Sequence, residues 1–163
     1  MKRFLLTALA TVVLAFVGRM LVRAVASDET KIRWRLEAMA EGFNETSNNA
    51  CTEGLADDFL DESYGADRAL VRQALAYLFF HRKDPVTRGF LYRVELPPES
   101  MRIAVDEGGE TARLEMIARF FERHGAAEEV TWETRIDAEL VERDGEWLIR
   151  RSEHQTLAGR MPR

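Results

Sequence analysis

Apolar residues recur at helical spacing through the stretch that follows residue 27. The pattern predicts a helix from Asp28 to Glu45, with Ser27 as its N-cap. It also predicts a short second helix from Glu53 to Leu60 and a third helix that begins at Asp67. The third helix must end before Pro85, because the residue that precedes a proline avoids helical backbone angles. The side chains that we expect these helices to bury are Ile32, Leu36, Met39, Phe43, Leu55, Phe59, Leu70, Val71, Ala74, Leu75, Leu78 and Phe79.

After Pro85 the apolar residues alternate with polar ones, which is typical of strands that bury one face. Two short turns, Gly108–Gly109 and Asp144–Gly145, separate the alternating runs, and both residue pairs favour two-residue hairpin loops. The pattern therefore predicts a mostly antiparallel sheet. The residues predicted to share its buried face are Phe90, Tyr92, Val94, Leu96, Met101, Ile103, Val105, Ala112, Leu114, Met116, Ala118, Phe120, Val130, Trp132, Thr134, Ile136, Ala138, Leu140, Trp147 and Ile149.

The two turns also set which residues face each other across each hairpin. Both registers place apolar pairs on one face and opposite charges on the other, as cross-strand energetics favour. The predicted pairs are Val105 with Ala112, Ile103 with Leu114, Arg102 with Glu115, Leu140 with Ile149 and Glu139 with Arg150. No repeat or linker divides this part of the chain, so residues 28–163 are predicted to form one α+β domain of three helices followed by the sheet.

The register of the second hairpin has one anomaly further along the strand. It places Arg151 opposite Ala138 and Glu153 opposite Ile136, so that both charges fall on the apolar face. A buried charge needs a partner, which makes Arg151 and Glu153 candidate site residues. Two alternatives remain: the strand has left the core at this point, or the two charges neutralise each other at the rim of the domain.

Residues 1–27 form a separate segment, in which a basic start precedes 14 largely apolar residues from position 4 to 17. This is the form of a signal peptide, and cleavage would follow Ala26. Arg19 and Arg23 argue against cleavage, since a cleavable signal is normally uncharged there. We favour an uncleaved single-pass anchor that enters the lipid bilayer through residues 4–25, with both arginines reaching the head groups. The folded domain is then expected outside the cytoplasm.

Charge and cysteine content narrow the classes of partner. The net charge of -5 combines +4 on residues 1–27 with -9 on residues 28–163. An acidic domain repels phosphate backbones, so nucleic acid is not an expected partner. The single cysteine, Cys51, excludes an intramolecular disulfide and a cysteine-rich zinc site.

The candidate pocket residues are few, because the central strands place no titratable side chain on the predicted buried face. No catalytic residue is therefore assigned. Tyr77 and His81 lie four apart on the third helix, where a tyrosine beside a histidine could polarise a ligand carbonyl. The alternative is a half-buried tyrosine and a solvated histidine at a helix end. The set of candidate pocket residues is Tyr77, His81, Trp132, Arg151 and Glu153.

No metal or cofactor is expected. No two histidines have metal-ligand spacing on one helix, and no phosphate loop or dinucleotide-binding glycine motif is present. The acidic cluster around the predicted second helix is interpreted as a solvated face, because no calcium-type loop accompanies it. Its members are Asp57, Asp58, Asp61 and Glu62.

Two stretches resemble the nuclear transport factor 2-like superfamily, which includes polyketide cyclase and ketosteroid isomerase-like proteins. GLADDFLDESYGADRALVRQALAYLFF (54–80) is similar to that family's second helix, short strand and third helix. AELVERDGEWLIRRSEH (138–154) is similar to its final hairpin. The resemblance implies a curved sheet wrapped around a helix to form a cone with an apolar pocket. It also implies a homodimer through the outer sheet face, which here is polar and carries Arg102, Arg113, Glu115, Glu139 and Arg150.

Two functional hypotheses follow, because fold alone does not choose function. The first is a membrane-tethered, non-catalytic cone domain that binds a small apolar ligand or a protein partner. The second is an isomerase, cyclase or hydrolase that acts on a hydrophobic small molecule. The second hypothesis requires Tyr77, His81, Arg151 or Glu153 to converge on one cavity.

Overall fold

The computed structural model describes residues 26–162, which form three α-helices and seven strands. The predicted anchor, residues 4–25, lies outside these residues. Within this range no helix combines the length and the apolar character needed to cross a membrane. The elements are α1 (Asp28–Asn44), α2 (Asn48–Glu53), β1 (Leu55–Asp61), β2 (Ala66–Asp67), α3 (Arg68–His81), β3 (Tyr92–Glu95), a 3-10 turn (Pro98–Ser100), β4 (Arg102–Val105), β5 (Thr111–His124), β6 (Ala127–Arg143) and β7 (Glu146–Gly159).

The α1 helix begins at Asp28 as predicted and ends at Asn44, one residue before the predicted end. The side chain of Ser27 accepts a hydrogen bond from the Thr30 N–H, which satisfies one of the free donors at the helix start. Ile32 and Leu36 are almost fully buried against the sheet. Phe43, near the other end, contacts Phe79 and Phe90 edge to face. The α1 helix therefore contributes to both hydrophobic clusters of the core, one that contains Ile32 and Leu36 and one that contains Phe43.

The predicted second helix is wrong, since Leu55–Asp61 forms strand β1 and the helix lies earlier, at Asn48–Glu53. β1 pairs in parallel with β7, where the Ile149 N–H donates to the Gly54 carbonyl. Leu55 and Phe59 are buried as predicted, but their spacing of four comes from an irregular strand. Backbone hydrogen bonds to a distant strand outweigh the local helical pattern here.

The α3 helix begins and ends as predicted, but it buries less than its sequence suggests. Asp67 caps its start by accepting a hydrogen bond from the Leu70 N–H. Phe79 is its one fully buried side chain, whereas Leu70 and Ala74 are exposed. The reason is that α3 packs on α2, β1 and β2 and leaves a space between itself and the central strands.

The sheet has the strand order β2-β1-β7-β6-β5-β3, and β4 also pairs with β5. All pairings are antiparallel except that of β1 with β7. The β4–β5 hairpin has the predicted register, including Ile103 opposite Leu114 and Arg102 opposite Glu115. The α+β class and the mostly antiparallel sheet are thereby confirmed.

The β6–β7 hairpin follows its predicted register only for the first part of β7. Leu140 lies opposite Ile149 as predicted. The next pair is Glu139 with Arg151, so that Arg150 is an extra residue, a β-bulge. Arg150 nevertheless forms the predicted ion pair with Glu139, at 3.2 Å.

The bulge reverses the faces of residues Arg151 to Thr156 in β7, because side chains alternate along a strand, and a second irregularity at Leu157 ends the reversal. Ser152 and His154 therefore take the inward positions, opposite Ala138 and Ile136. The prediction that Arg151 and Glu153 lie on the apolar face is wrong. Both are exposed on the outer face.

Asp84 organises the loop that follows α3. Its Oδ1 accepts hydrogen bonds from the Val86 and Thr87 N–H groups, and its Oδ2 accepts one from Gly125 in the β5–β6 turn. The side chain is almost fully buried. These backbone donors lower the pKa of Asp84 to about 2, the Gly125 bond being the largest cause. One carboxylate thus connects the loop to the far hairpin.

We expect Asp84→Asn to lower the free energy of unfolding at neutral pH, because the new amide donor would face the Gly125 N–H. A carboxyl whose folded-state pKa is depressed stabilises the fold above its unfolded pKa. That contribution is lost as the pH falls from about 4 to about 2. The difference between wild type and Asp84→Asn, measured by urea unfolding, should therefore shrink over this range. Asp137→Asn, at an exposed position on β6, is the control and should show no such difference.

Candidate active site

An apolar cavity of about 530 Å³ lies between α3 and the central sheet. Its lining comes from the three helices α1, α2 and α3 and from strands β1, β2, β3, β5, β6 and β7. The lining includes Phe59, Leu75, Leu78, Met116, Ala118 and Trp132. Several of the lining side chains are also exposed to solvent. They mark the mouth of the cavity, beside the first half of α3, and are Tyr64, Leu70, Ala74 and Met161. The volume suits a small organic molecule.

Three polar side chains interrupt the apolar lining at one place. Asp61, Ser152 and His154 all line the cavity, and Asp61 is only 3% exposed. Asp61 Oδ2 accepts a hydrogen bond from Ser152 Oγ at 2.7 Å and lies 2.6 Å from His154 Nε2. Asp61 Oδ1 accepts a second hydrogen bond, from the Tyr64 N–H. The carboxylate is therefore held from three directions.

The contact with Asp61 assigns a proton to Nε2 of His154, because a carboxylate oxygen can only accept there. In the neutral imidazole the lone pair then lies on Nδ1. Nδ1 is buried and has no hydrogen-bond partner among residues 26–162. Trp132 stacks against the His154 ring, with 26° between the two planes. The centroid of the Tyr64 ring lies 5.9 Å from the centroid of the His154 ring.

Two features of the backbone bring this pair together. Asp61 is the last residue of β1 and pairs with Ser152 in the parallel ladder, where the Glu62 N–H also donates to the Ser152 carbonyl. His154 faces inward because of the bulge at Arg150. Ser63 fixes the backbone of His154 through a hydrogen bond to its N–H.

Sequence reasoning missed this pair for two reasons. His154 was placed on the wrong face by an uninterrupted register, and Asp61 was grouped with the solvated acidic cluster. The other members of that cluster do lie outside, where they form ion pairs. These pairs are Asp57 with Arg68, Asp58 with Arg143 and Glu62 with Arg151. The available signal was the alternation in β1, which places Phe59 and Asp61 on one face.

The candidate residues drawn from the sequence do not converge. Trp132 is buried and lines the cavity, and its Nε1 donates to Thr156 Oγ1. Tyr77 and His81 contact each other, with ring centroids 4.4 Å apart, but they lie on the exposed side of α3. Arg151 and Glu153 line a separate, shallower depression on the outer face of the sheet.

Cys51 also lines the cavity, but its chemistry differs from that of a nucleophile. Burial raises the pKa of its thiol to about 11, which keeps the sulfur protonated at neutral pH. Among the residues that the structure describes, no group of His, Cys, Asp or Glu side chains has an arrangement that could hold a metal ion. Asp61 and His154 form a close titratable pair in the wall of this cavity.

Comparison with known proteins gives a clear answer for the fold. No family model matches this chain, and no curated protein does. Among solved structures, an NTF2-like protein with a cystatin-like fold from Novosphingobium aromaticivorans matches over 90% of both chains, with a TM-score of 0.64 and 17% identity. An NTF2-like protein of unknown function from Pseudomonas putida covers 82% of this chain and 96% of its own, with a TM-score of 0.61 and 14% identity.

A third solved structure carries a provisional enzyme name, scytalone dehydratase, and is also from Novosphingobium aromaticivorans. It covers 80% of this chain and 85% of its own, with a TM-score of 0.65 and 13% identity. At these identities the likeness shows the fold, which is the cystatin-like cone of NTF2-like proteins. The resemblance predicted from the sequence is thereby confirmed.

We expect Ala74→Trp to weaken the binding of the uncharged fluorescent probe N-phenylnaphthylamine at least about tenfold, because an indole at the mouth would fill the entrance. Ala76→Trp is the matched control, since Ala76 is an exposed alanine on the same helix that does not line the cavity. Fluorescence titration measures both. Equal affinities for the two variants would show that the probe binds elsewhere.

Proposed function

We propose that this NTF2-like cone domain is an acid–base enzyme that moves a proton on a small hydrophobic molecule, as an isomerase, cyclase or dehydratase does. The observation that carries the proposal is the Asp61–His154 pair in the wall of an otherwise apolar cavity. A few polar, titratable groups that converge in a well-formed apolar cavity are the default starting point for an active-site hypothesis.

Each residue of the pair has a role that follows from its contacts. His154 is the base, and the Nδ1 lone pair accepts the substrate proton. Asp61 holds the ring in one tautomer through Nε2 and stabilises the imidazolium that forms, while Ser152 and the Tyr64 N–H keep Asp61 in place. The apolar lining excludes water, which strengthens these interactions during the proton transfer.

One solved structure of the same fold supports this class of chemistry, since it bears the provisional name scytalone dehydratase. Another bears the provisional name aromatic ring hydroxylase, which denotes a different, oxidative reaction. A dehydratase that forms a carbon–carbon double bond needs a group that takes a proton from carbon, and His154 can supply it. The substrate class that the cavity favours is a small molecule with few polar groups.

The test uses nitrobenzisoxazole, an apolar carbon acid that reports directly on a base in an apolar cavity. Removal of its ring proton breaks the N–O bond, and the electrons end on the oxygen of a coloured cyanophenolate. We expect the wild-type protein to accelerate this reaction and His154→Gln to lose about 100-fold of the acceleration, since a positioned base contributes on that order. Absorbance measures the rate.

His124→Gln is the control, because His124 is exposed at the end of β5 and far from the cavity lining. It should retain the wild-type rate. N-phenylnaphthylamine binding by His154→Gln should also be retained, which separates loss of the base from loss of the cavity. A wild-type rate no greater than that of His154→Gln would contradict the proposal.

The second candidate function is non-catalytic binding of a small apolar ligand, and it is favoured by the almost wholly apolar lining. This was the first hypothesis drawn from the sequence. Its basis was the absence of titratable groups from the buried face, and the bulge in β7 removes that basis by turning His154 inward. Probe binding without any acceleration of nitrobenzisoxazole opening would favour this candidate.

We also propose that residues 4–25 tether the domain to a bilayer, with the domain outside the cytoplasm. The support for the tether is the largely apolar run at positions 4–17 and the two arginines that follow it, Arg19 and Arg23, which can reach the head groups. We expect the full chain to stay with membranes after alkaline carbonate extraction and to retain its first residues on N-terminal sequencing. A soluble mature chain that begins at Ser27 would instead support cleavage after Ala26.

A further inference from the structure

The segment from α3 to the loop after it has a charge opposite to that of the domain. Residues 68–89 contain five basic residues and one acidic residue, a net charge of +4. The remainder of residues 28–163 therefore carries -13, since the whole range carries -9. A local reversal of this size concentrates positive charge on one part of the surface.

The same segment also carries the most exposed of the large apolar side chains among the described residues. Phe80 and Val86 are each 77% exposed and Tyr77 is 57% exposed. Tyr77 and Phe80 lie three residues apart on α3 and therefore share a helix face. Val86 lies on the loop that begins directly after the helix. Contiguous exposed apolar residues mark an interaction surface.

The one acidic residue of the segment does not offset this positive charge at the surface. Asp84 is 1% exposed, and its carboxylate accepts three hydrogen bonds from backbone N–H groups. Lys83 and Arg88 are exposed, and neither forms a salt bridge with any residue in the range 26–162. The surface of the segment is thus basic and apolar together.

We propose that this basic-apolar patch, formed by Tyr77, Phe80, Lys83, Val86 and Arg88, docks on an anionic lipid surface. Phe80 and Val86 enter the head-group region, while Lys83 and Arg88 contact lipid phosphates and carboxylates. The acidic remainder of the domain is repelled by the same surface, so the charge distribution selects one orientation. The inference does not depend on the proposed function of the cavity.

A bilayer fits the patch better than the other occupants do. A second copy that presented the same patch would place like charges opposite each other, because a two-fold interface is self-complementary. A nucleic acid would meet a domain that otherwise carries -13, and its backbone offers nothing to Val86. A lipid surface uses both the positive charges and the apolar side chains.

The docking also has a consequence for the cavity. Leu70 and Ala74, which belong to the cavity mouth, lie on the same helix as Tyr77. Leu70 is two turns and Ala74 is about one turn N-terminal to Tyr77, on the same face. Docking of α3 therefore brings the mouth close to the lipid.

The test uses the full chain in a Cys51→Ala background, with Val86→Cys labelled by the environment-sensitive fluorophore nitrobenzoxadiazole. The protein is reconstituted with vesicles of phosphatidylcholine alone or of phosphatidylcholine with phosphatidylserine. We expect a blue shift and quenching by spin-labelled lipid that are several-fold greater with phosphatidylserine. The same label at Arg113→Cys, on the outer face of the sheet, should show neither effect.

The charge requirement is tested by adding Lys83→Glu and Arg88→Glu together, which should abolish the shift. Arg102→Glu with Arg113→Glu changes the net charge equally on the outer sheet face and should leave the shift intact. The proposal is overturned by no shift in either vesicle, by equal shifts in both, or by a shift that survives Lys83→Glu/Arg88→Glu. A shift that depends on protein concentration without vesicles would show instead that a second copy covers the patch.

Discussion

The extra residue in β7, Arg150, decides which chemistry this fold can offer. Without the bulge, two large charges would point into an apolar interior. With it, Ser152 and His154 take those positions, and both find Asp61 at the end of β1. A bulge also increases the local twist of a strand, which helps β7 serve two neighbours of opposite direction, β1 and β6.

The cavity exists because α3 packs on α2, β1 and β2 and does not pack closely on the central strands of the sheet. α1 packs directly on the sheet through Ile32 and Leu36, and its side chains from Leu36 to Phe43 form one wall of the cavity. α3 instead rests on α2, β1 and β2. At its C-terminal end Phe79 joins Phe43 and Phe90 in an aromatic cluster that closes one end of the space. The other end remains open at the mouth.

The parts of the fold that were predictable are those specified by local chemistry. The pairs Gly108–Gly109 and Asp144–Gly145 set two hairpins, and the cap at Asp67 sets the start of α3. Strand β1 was not predictable, because it is defined by pairing with a strand about ninety positions later. The candidate site depended on β1 and on the bulge at Arg150. Neither glycine nor proline marks that bulge, so alternation alone placed the wrong residues inside.

Stability does not explain why Asp61 and His154 are buried together. Apolar residues of similar shape often replace both partners of a buried hydrogen-bonded polar pair without loss of stability. The pair is also incompletely satisfied, since Nδ1 of His154 has no partner within residues 26–162, and an unpaired buried polar atom costs about 1–3 kcal/mol. A ligand that donates a proton or a hydrogen bond to Nδ1 would remove that cost. An Nδ1 without a partner in the wall of a cavity is what the proposed reaction requires, because the bound molecule would then supply the missing hydrogen bond.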